Sequence, residues 1–65
     1  MTLEQATKMA RKDAVENNVV INIIFDKLSE EEEKYTYVAE HGMDIFYPEH
    51  RKDFWELVDV IIPNS

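Results

Sequence analysis

Apolar residues recur at helical spacing at the start of the chain. Four of them fall on one helical face: Leu3, Ala6, Ala10 and Ala14. Thr2 and Gln5 form a capping-box pattern, in which each side chain can bond the backbone amide of the other residue. Asn17-Asn18 can end the helix, because asparagine tolerates the left-handed conformation found at helix C-termini. The pattern predicts an N-terminal helix whose narrow, alanine-rich face lies close against a sheet.

Two segments in the middle of the chain have the character of strands. Val19–Phe25 is β-branched and almost continuously apolar, so both of its faces need a cover. We expect it to be a central strand, or one covered by another element or a second copy of the chain. Residues 26–34 are polar except for Leu28 and indicate a loop. Lys34–Ala39 alternates, with Tyr35 and Tyr37 on one side, and predicts a second strand.

The C-terminal third is open to two interpretations. Met43–Pro48 suggests a helical turn that Pro48 stops, followed by a short helix near Glu49–Phe54 and a last strand from about Glu56 to Ile62. Helical spacing also connects five apolar residues, which would make this end a helix instead: Phe54, Leu57, Val58, Ile61 and Ile62. We favour the strand. The predicted fold is then a single α+β domain over residues 1–65, in the order α-β-β-α-β, with the first helix across a three-stranded antiparallel sheet.

Composition and charge narrow the functional class. The 65 residues include no cysteine, which excludes disulfides and thiolate metal sites. The chain has neither an apolar run of the roughly 20 residues that span a bilayer nor a signal-peptide pattern, so we expect a cytoplasmic protein with no membrane partner. The net charge of −7 lies wholly in residues 18–65, which contain four basic and eleven acidic residues. Such a surface repels nucleic acid and favours basic protein surfaces.

Candidate catalytic and metal-binding patterns are weak. His41 precedes Asp44 by three residues and His50 precedes Asp53 by three, so each pair could offer an imidazole and a carboxylate to zinc or manganese. Acidic residues are so frequent here that such neighbours arise by chance. Every acid lies in a stretch that looks exposed, whereas paired catalytic carboxylates need burial to separate their pKa values. We therefore expect no enzyme activity, no cofactor and no metal site.

The acidic residues and the aromatics are the better candidates for a working surface. The loop glutamates are either a solvated, solubilising loop or a contact surface, and Phe54 and Trp55 are adjacent, so one of them can be exposed as an anchor. Candidate partner-binding residues are Asp26, Glu30, Glu31, Glu32, Glu33, Glu40, Asp44, Glu49, Asp53 and Trp55. They predict an interaction protein that docks on a basic surface of another protein and inhibits or regulates it. Two alternatives stay open: a DNA-mimic inhibitor, and a self-associating module that forms a homodimer.

Three short segments carry a resemblance to known proteins: Thr2-Leu3-Glu4, Tyr35-Thr36-Tyr37 and Phe46-Tyr47-Pro48. In this order they resemble the small accessory proteins that bacteriophages encode in their early regions. The resemblance implies a binder or inhibitor that acts on a host protein such as a defence enzyme, nuclease or polymerase, and hence a location in the host cytoplasm. It implies no functional residue.

Overall fold

The computed structural model describes residues 1–30 and 32–64 and consists of one long helix, three strands and a segment of short turns. Helix α1 spans Leu3–Asn17, and strands β1, β2 and β3 span Ile21–Asp26, Tyr35–Ala39 and Trp55–Ile61. Between β2 and β3 lie a 3₁₀ turn (Glu40–Gly42), a one-turn helix α2 (Met43–Phe46) and a 3₁₀ segment (Glu49–Phe54) that is kinked at Arg51. The α+β prediction and its element order are confirmed, and the C-terminal segment is a strand.

Both ends of α1 follow the sequence signals. The Thr2 hydroxyl accepts from the Gln5 amide at 3.0 Å and the Gln5 side chain accepts from the Thr2 amide at 3.0 Å, which completes the capping box. Asn18 adopts the left-handed conformation at φ 52°. Because the Val19 amide still bonds the carbonyl of Ala14 in the last helical turn, β1 begins at Ile21 and not at Val19.

The alanine face of α1 lies on the sheet. Ala6, Ala10 and Ala14 are fully buried against Ile21 and Ile23 of β1 and Ile61 of β3. Small side chains allow the helix axis to approach the sheet closely.

Leu3 departs from the predicted face. It is exposed, and Met1 packs against this core in its place. The alanine face of the helix therefore begins at Ala6.

The sheet has the order β2-β1-β3, and both pairings are antiparallel. The central strand is thus the apolar one, as its two-sided pattern predicts. Ile23 faces α1, and its neighbour Ile24, which is also fully buried, faces the other way. Residues 40–54 cover part of this second face, where Tyr47 packs edge-on against Trp55 with ring centroids 5.9 Å apart.

Gly42 holds the covering segment close to the sheet. A Cβ atom at this position would lie 3.1 Å from Cγ2 of Val38 on β2 and 3.6 Å from the Phe46 ring. The single glycine of the chain therefore lies where its backbone packs against the side chains of Val38 and Phe46, and its φ of −94° needs no left-handed freedom.

The packing of α1 generates a stability prediction. We expect Ala10→Leu to lower the free energy of unfolding by about 1–3 kcal/mol, because the added atoms have no space between helix and sheet. Urea unfolding followed by Trp55 fluorescence would measure it. The control is Val15→Leu on the same helix, whose side chain is exposed; an equal loss in both variants would contradict the packing.

Candidate protein-binding surface

An aromatic cleft lies at the end of the sheet where β1 finishes and β3 starts. Asp26 and Trp55 are partners in the β1–β3 register there, and the Lys27 amide bonds the carbonyl of Phe54 at 2.9 Å. The cleft has a volume of about 200 Å³. It is lined by Asp26, Leu28, Ile45, Phe46, Tyr47, Pro48, Arg51, Phe54 and Trp55.

Asp26 is the polar anchor of the cleft wall. One carboxylate oxygen accepts from the Leu28 amide at 3.0 Å, and the other accepts from the Tyr47 hydroxyl at 3.3 Å. The expectation that every acid is exposed is wrong for Asp26, which is half-buried and whose carboxylate is satisfied by these two donors. Burial, the charge of Asp26 and this hydrogen bond together raise the pKa of Tyr47 to about 12. Tyr47 therefore remains a hydrogen-bond donor at physiological pH.

Trp55 is buried and forms part of the cleft floor. Its side chain is only 4% exposed, and its indole N–H donates to the carbonyl of Pro48 at 3.2 Å. The prediction of Trp55 as an accessible anchor is thus wrong, since its ring is held under the 3₁₀ segment. Its neighbour Phe54 is 41% exposed, and the Arg51 guanidinium lies 5.4 Å from the Phe54 ring centroid.

Four apolar side chains around the cleft are open to solvent. Their exposed fractions are 62% for Leu28, 76% for Ile45, 68% for Phe46 and 41% for Phe54. Scattered exposed apolar residues are common on proteins, but four around one concavity form a patch of the kind that marks interaction sites.

The loop that supplies Leu28 to the cleft continues into the glutamate run. Glu30, Glu32 and Glu33 are exposed, and the carbonyl of Glu33 accepts from the N-terminal amine at 3.0 Å. Glu31 lies outside the described residues. Glu30, Glu32 and Glu33 therefore come within five residues of Leu28, which lines the cleft.

The remaining acidic candidates lie on the covering segment. Glu40, Asp44, Glu49 and Asp53 are all exposed. Nζ of Lys52 lies 3.8 Å from Oε2 of Glu49, and Nζ of Lys27 lies 3.9 Å from Oε1 of Glu56. These lysines interrupt the row of negative charge, which is the weakness of the DNA-mimic interpretation.

The two histidines lie in different turns. His41 belongs to the first 3₁₀ turn and His50 to the second 3₁₀ segment. Among residues 1–30 and 32–64, no group of three or more histidine or acidic side chains is arranged to hold a metal ion. In the same part of the chain, no helix combines the length and the apolar character that a membrane crossing needs.

Sequence reasoning missed the exposed apolar rim. Leu28 carries a signal, because it is the single apolar residue of a polar loop. Ile45 and Phe46 belong to a helix of only four residues, and a helix this short cannot bury a full face. A short apolar turn that ends near a proline, as Met43–Pro48 does, therefore indicates apolar side chains that stay exposed.

The Tyr47–Asp26 contact generates a pH prediction. The tyrosine pKa is near 10.0 in the unfolded chain and about 12 in the folded protein, so this contribution to stability is complete below pH 10.0 and is lost as pH rises to about 12. We expect Tyr47→Phe to lower the free energy of unfolding by about 0.5–1.5 kcal/mol at neutral pH. The fall in stability above pH 10.0 should also be smaller in this variant.

Urea unfolding at a series of pH values, with a phenolate absorbance titration of the native state, would check both effects. Burial and the nearby Asp13 also raise the pKa of Tyr37, so some alkaline loss remains in the variant. Identical alkaline profiles for the two proteins would contradict the assignment to Tyr47.

Comparison of the chain with family models, curated proteins and solved structures gives no match.

Proposed function

We propose that this protein is a non-catalytic binding domain that inserts an apolar side chain of another protein into the aromatic cleft. The observation that carries the proposal is the set of four exposed apolar side chains around one concavity: Leu28, Ile45, Phe46 and Phe54. Contact between apolar surface and water is unfavourable in free energy, and a partner that covers this patch removes that contact.

The size of the cleft favours a side chain as the ligand. Its volume of about 200 Å³ is below the roughly 300–1,000 Å³ of typical small-molecule pockets. Burial of one large apolar side chain contributes about 1.5–3 kcal/mol. The hydrogen bonds of Asp26 to Leu28 and Tyr47 hold the cleft wall before binding, so little ordering is needed when the partner arrives.

The charge around the cleft favours a basic partner surface. Glu30 and Glu32 follow Leu28 on the same loop, and Asp44 precedes Ile45 on α2. Solvent-exposed carboxylates contribute mainly to the rate of encounter, while the apolar anchor determines how long the complex lasts. The partner we propose therefore has an apolar residue that projects from a basic surface.

Blocking or regulating that partner is the proposed outcome of binding. The resemblance of the three short segments to bacteriophage accessory proteins supports a host protein as the target. A domain of 65 residues that covers a basic surface could exclude the acidic or nucleic-acid ligands that the surface normally binds.

Exchange of the apolar rim tests the anchor. Phe46→Ser removes a rim side chain, and Val15→Ser on α1 is the matched control because both residues are 68% exposed. The immobilised variants would be compared with the wild-type protein for capture from a bacterial lysate, and the affinity for the captured protein would then be measured. We expect Phe46→Ser to weaken binding about 10- to 100-fold and Val15→Ser to leave it unchanged. Equal binding by Phe46→Ser and wild type would reject the cleft as the site.

The loop charges are tested by association rates. We expect the double variant Glu30→Gln/Glu32→Gln to associate more slowly at low salt and at the wild-type rate at high salt, because salt screens the lost attraction. Glu16→Gln is the charge control. Glu16 lies at the C-terminal end of α1, whereas the glutamate loop contacts the N-terminal amine at the other end of this helix. Surface plasmon resonance with the captured protein would measure the rates. A wild-type association rate that does not depend on salt would contradict steering by this loop.

A further inference from the structure

The outer edge of β3 is not paired with another strand of the sheet in the described part of the chain. In the order β2-β1-β3, one side of β3 pairs with β1 and the other side lies outside the sheet. Edge strands can pair with a strand from another chain through their backbone groups. Proteins commonly prevent this with lysines, prolines, bulges or charges on the edge.

The side chains of β3 favour pairing. Its seven residues carry no lysine or arginine. Apolar residues along and just after the strand are exposed: Leu57, Val58, Val60 and Ile62. Apart from the carboxylates of Glu56 and Asp59, β3 is apolar and without cations, and apolar edges are the kind that add strands.

A carboxylate occupies the centre of this edge. The Val60 amide donates to Oδ1 of Asp59 at 2.8 Å. The amide and carbonyl of a residue in an antiparallel ladder point to the same side, and the side alternates along the strand. Since the Val60 amide is bound to the neighbouring side chain and not to Asn22, its partner on β1, it faces the outer edge.

The β1–β3 ladder is also irregular beside this site. The register shifts between Ile23 and Ile24, so that Asp59 pairs with Ile23 and Leu57 pairs with Ile24. Val58 is thus an extra residue on β3, and such a bulge twists the strand locally.

We infer that Asp59 keeps the outer edge of β3 closed to pairing with β3 of a second copy of this chain. Two antiparallel copies related by a twofold axis at Val60 would exchange hydrogen bonds between their Val60 amides and carbonyls. This is the amide that Asp59 occupies.

The register of such a pair can be read from the sequence of β3. The same twofold axis would place Val58 opposite Ile62 and Asp59 opposite Ile61, so no like charges would be directly opposed. A second copy is therefore the occupant that the edge fits, and the carboxylate must leave the Val60 amide before that copy can bind.

The test compares self-association in three variants by analytical ultracentrifugation over a range of concentrations. Asp59→Ala removes the acceptor, and we expect it to dimerise about 10- to 100-fold more strongly than the wild-type protein. Asp59→Asn removes the charge but keeps an acceptor oxygen, and it should remain like wild type. Glu56→Ala removes an exposed charge from the same strand without touching the Val60 amide, and it should also remain like wild type.

Three outcomes would overturn the inference. They are a wild-type level of association in Asp59→Ala, equal dimerisation of Asp59→Asn and Asp59→Ala, and equal dimerisation of Glu56→Ala and Asp59→Ala. The second and third would show that loss of charge, and not loss of the acceptor, drives association. Circular dichroism would confirm that each variant is folded.

A second readout does not depend on dimerisation. Amide hydrogen exchange measured by NMR at low concentration should be faster for Val60 in Asp59→Ala than in the wild-type protein. Unchanged exchange at Val60 would show that the carboxylate does not protect this amide. Phe46→Ser should leave the ultracentrifugation results unaltered, which separates this edge from the proposed cleft function.

Discussion

Burial of β1 on both faces is the constraint on which the rest of the structure depends. Ile23 and Ile24 are adjacent, point to opposite sides of the sheet and are both fully buried. A chain of 65 residues has one long helix to offer, and α1 covers only the Ile23 side. The second side must be covered by the short turns of residues 40–54, and a cover made of turns is incomplete. The aromatic cleft is the consequence of that incomplete cover.

The parts of the fold that sequence could predict are those with a strong local cause. The Thr2–Gln5 capping box, the left-handed Asn18 and the apolar β1 each follow from short-range chemistry or periodicity. The last strand was harder to predict from sequence, since the spacing of its apolar residues also fits a helix. Its β-branched residues become decisive only because β1 has an unpaired edge that accepts it, which is a long-range condition.

The candidate site was less predictable because exposure depends on packing between distant segments. Phe54 and Trp55 are equivalent in sequence as adjacent aromatics. Trp55 begins β3 opposite Asp26 and packs against Tyr47, with its indole N–H bonded to the Pro48 carbonyl, whereas Phe54 is left at the surface. The bulge at Val58 likewise has no local sequence signal. Counting carboxylates identified an acidic surface but could not show which carboxylates already have partners inside the protein.

That distinction divides the acidic residues by role. Asp26 accepts from a backbone amide and a tyrosine hydroxyl, and Asp59 accepts from the Val60 amide, so both carboxylates are bound to the chain itself. Charge-assisted hydrogen bonds of this kind fix geometry, whereas exposed glutamates such as Glu30 and Glu32 contribute only a screened, long-range field. Net charge alone is therefore a poor guide to this protein. Under the proposed function, neutralising an exposed glutamate would change how fast the partner arrives, whereas removing Asp26 or Asp59 would change the cleft wall and the sheet edge of the domain itself.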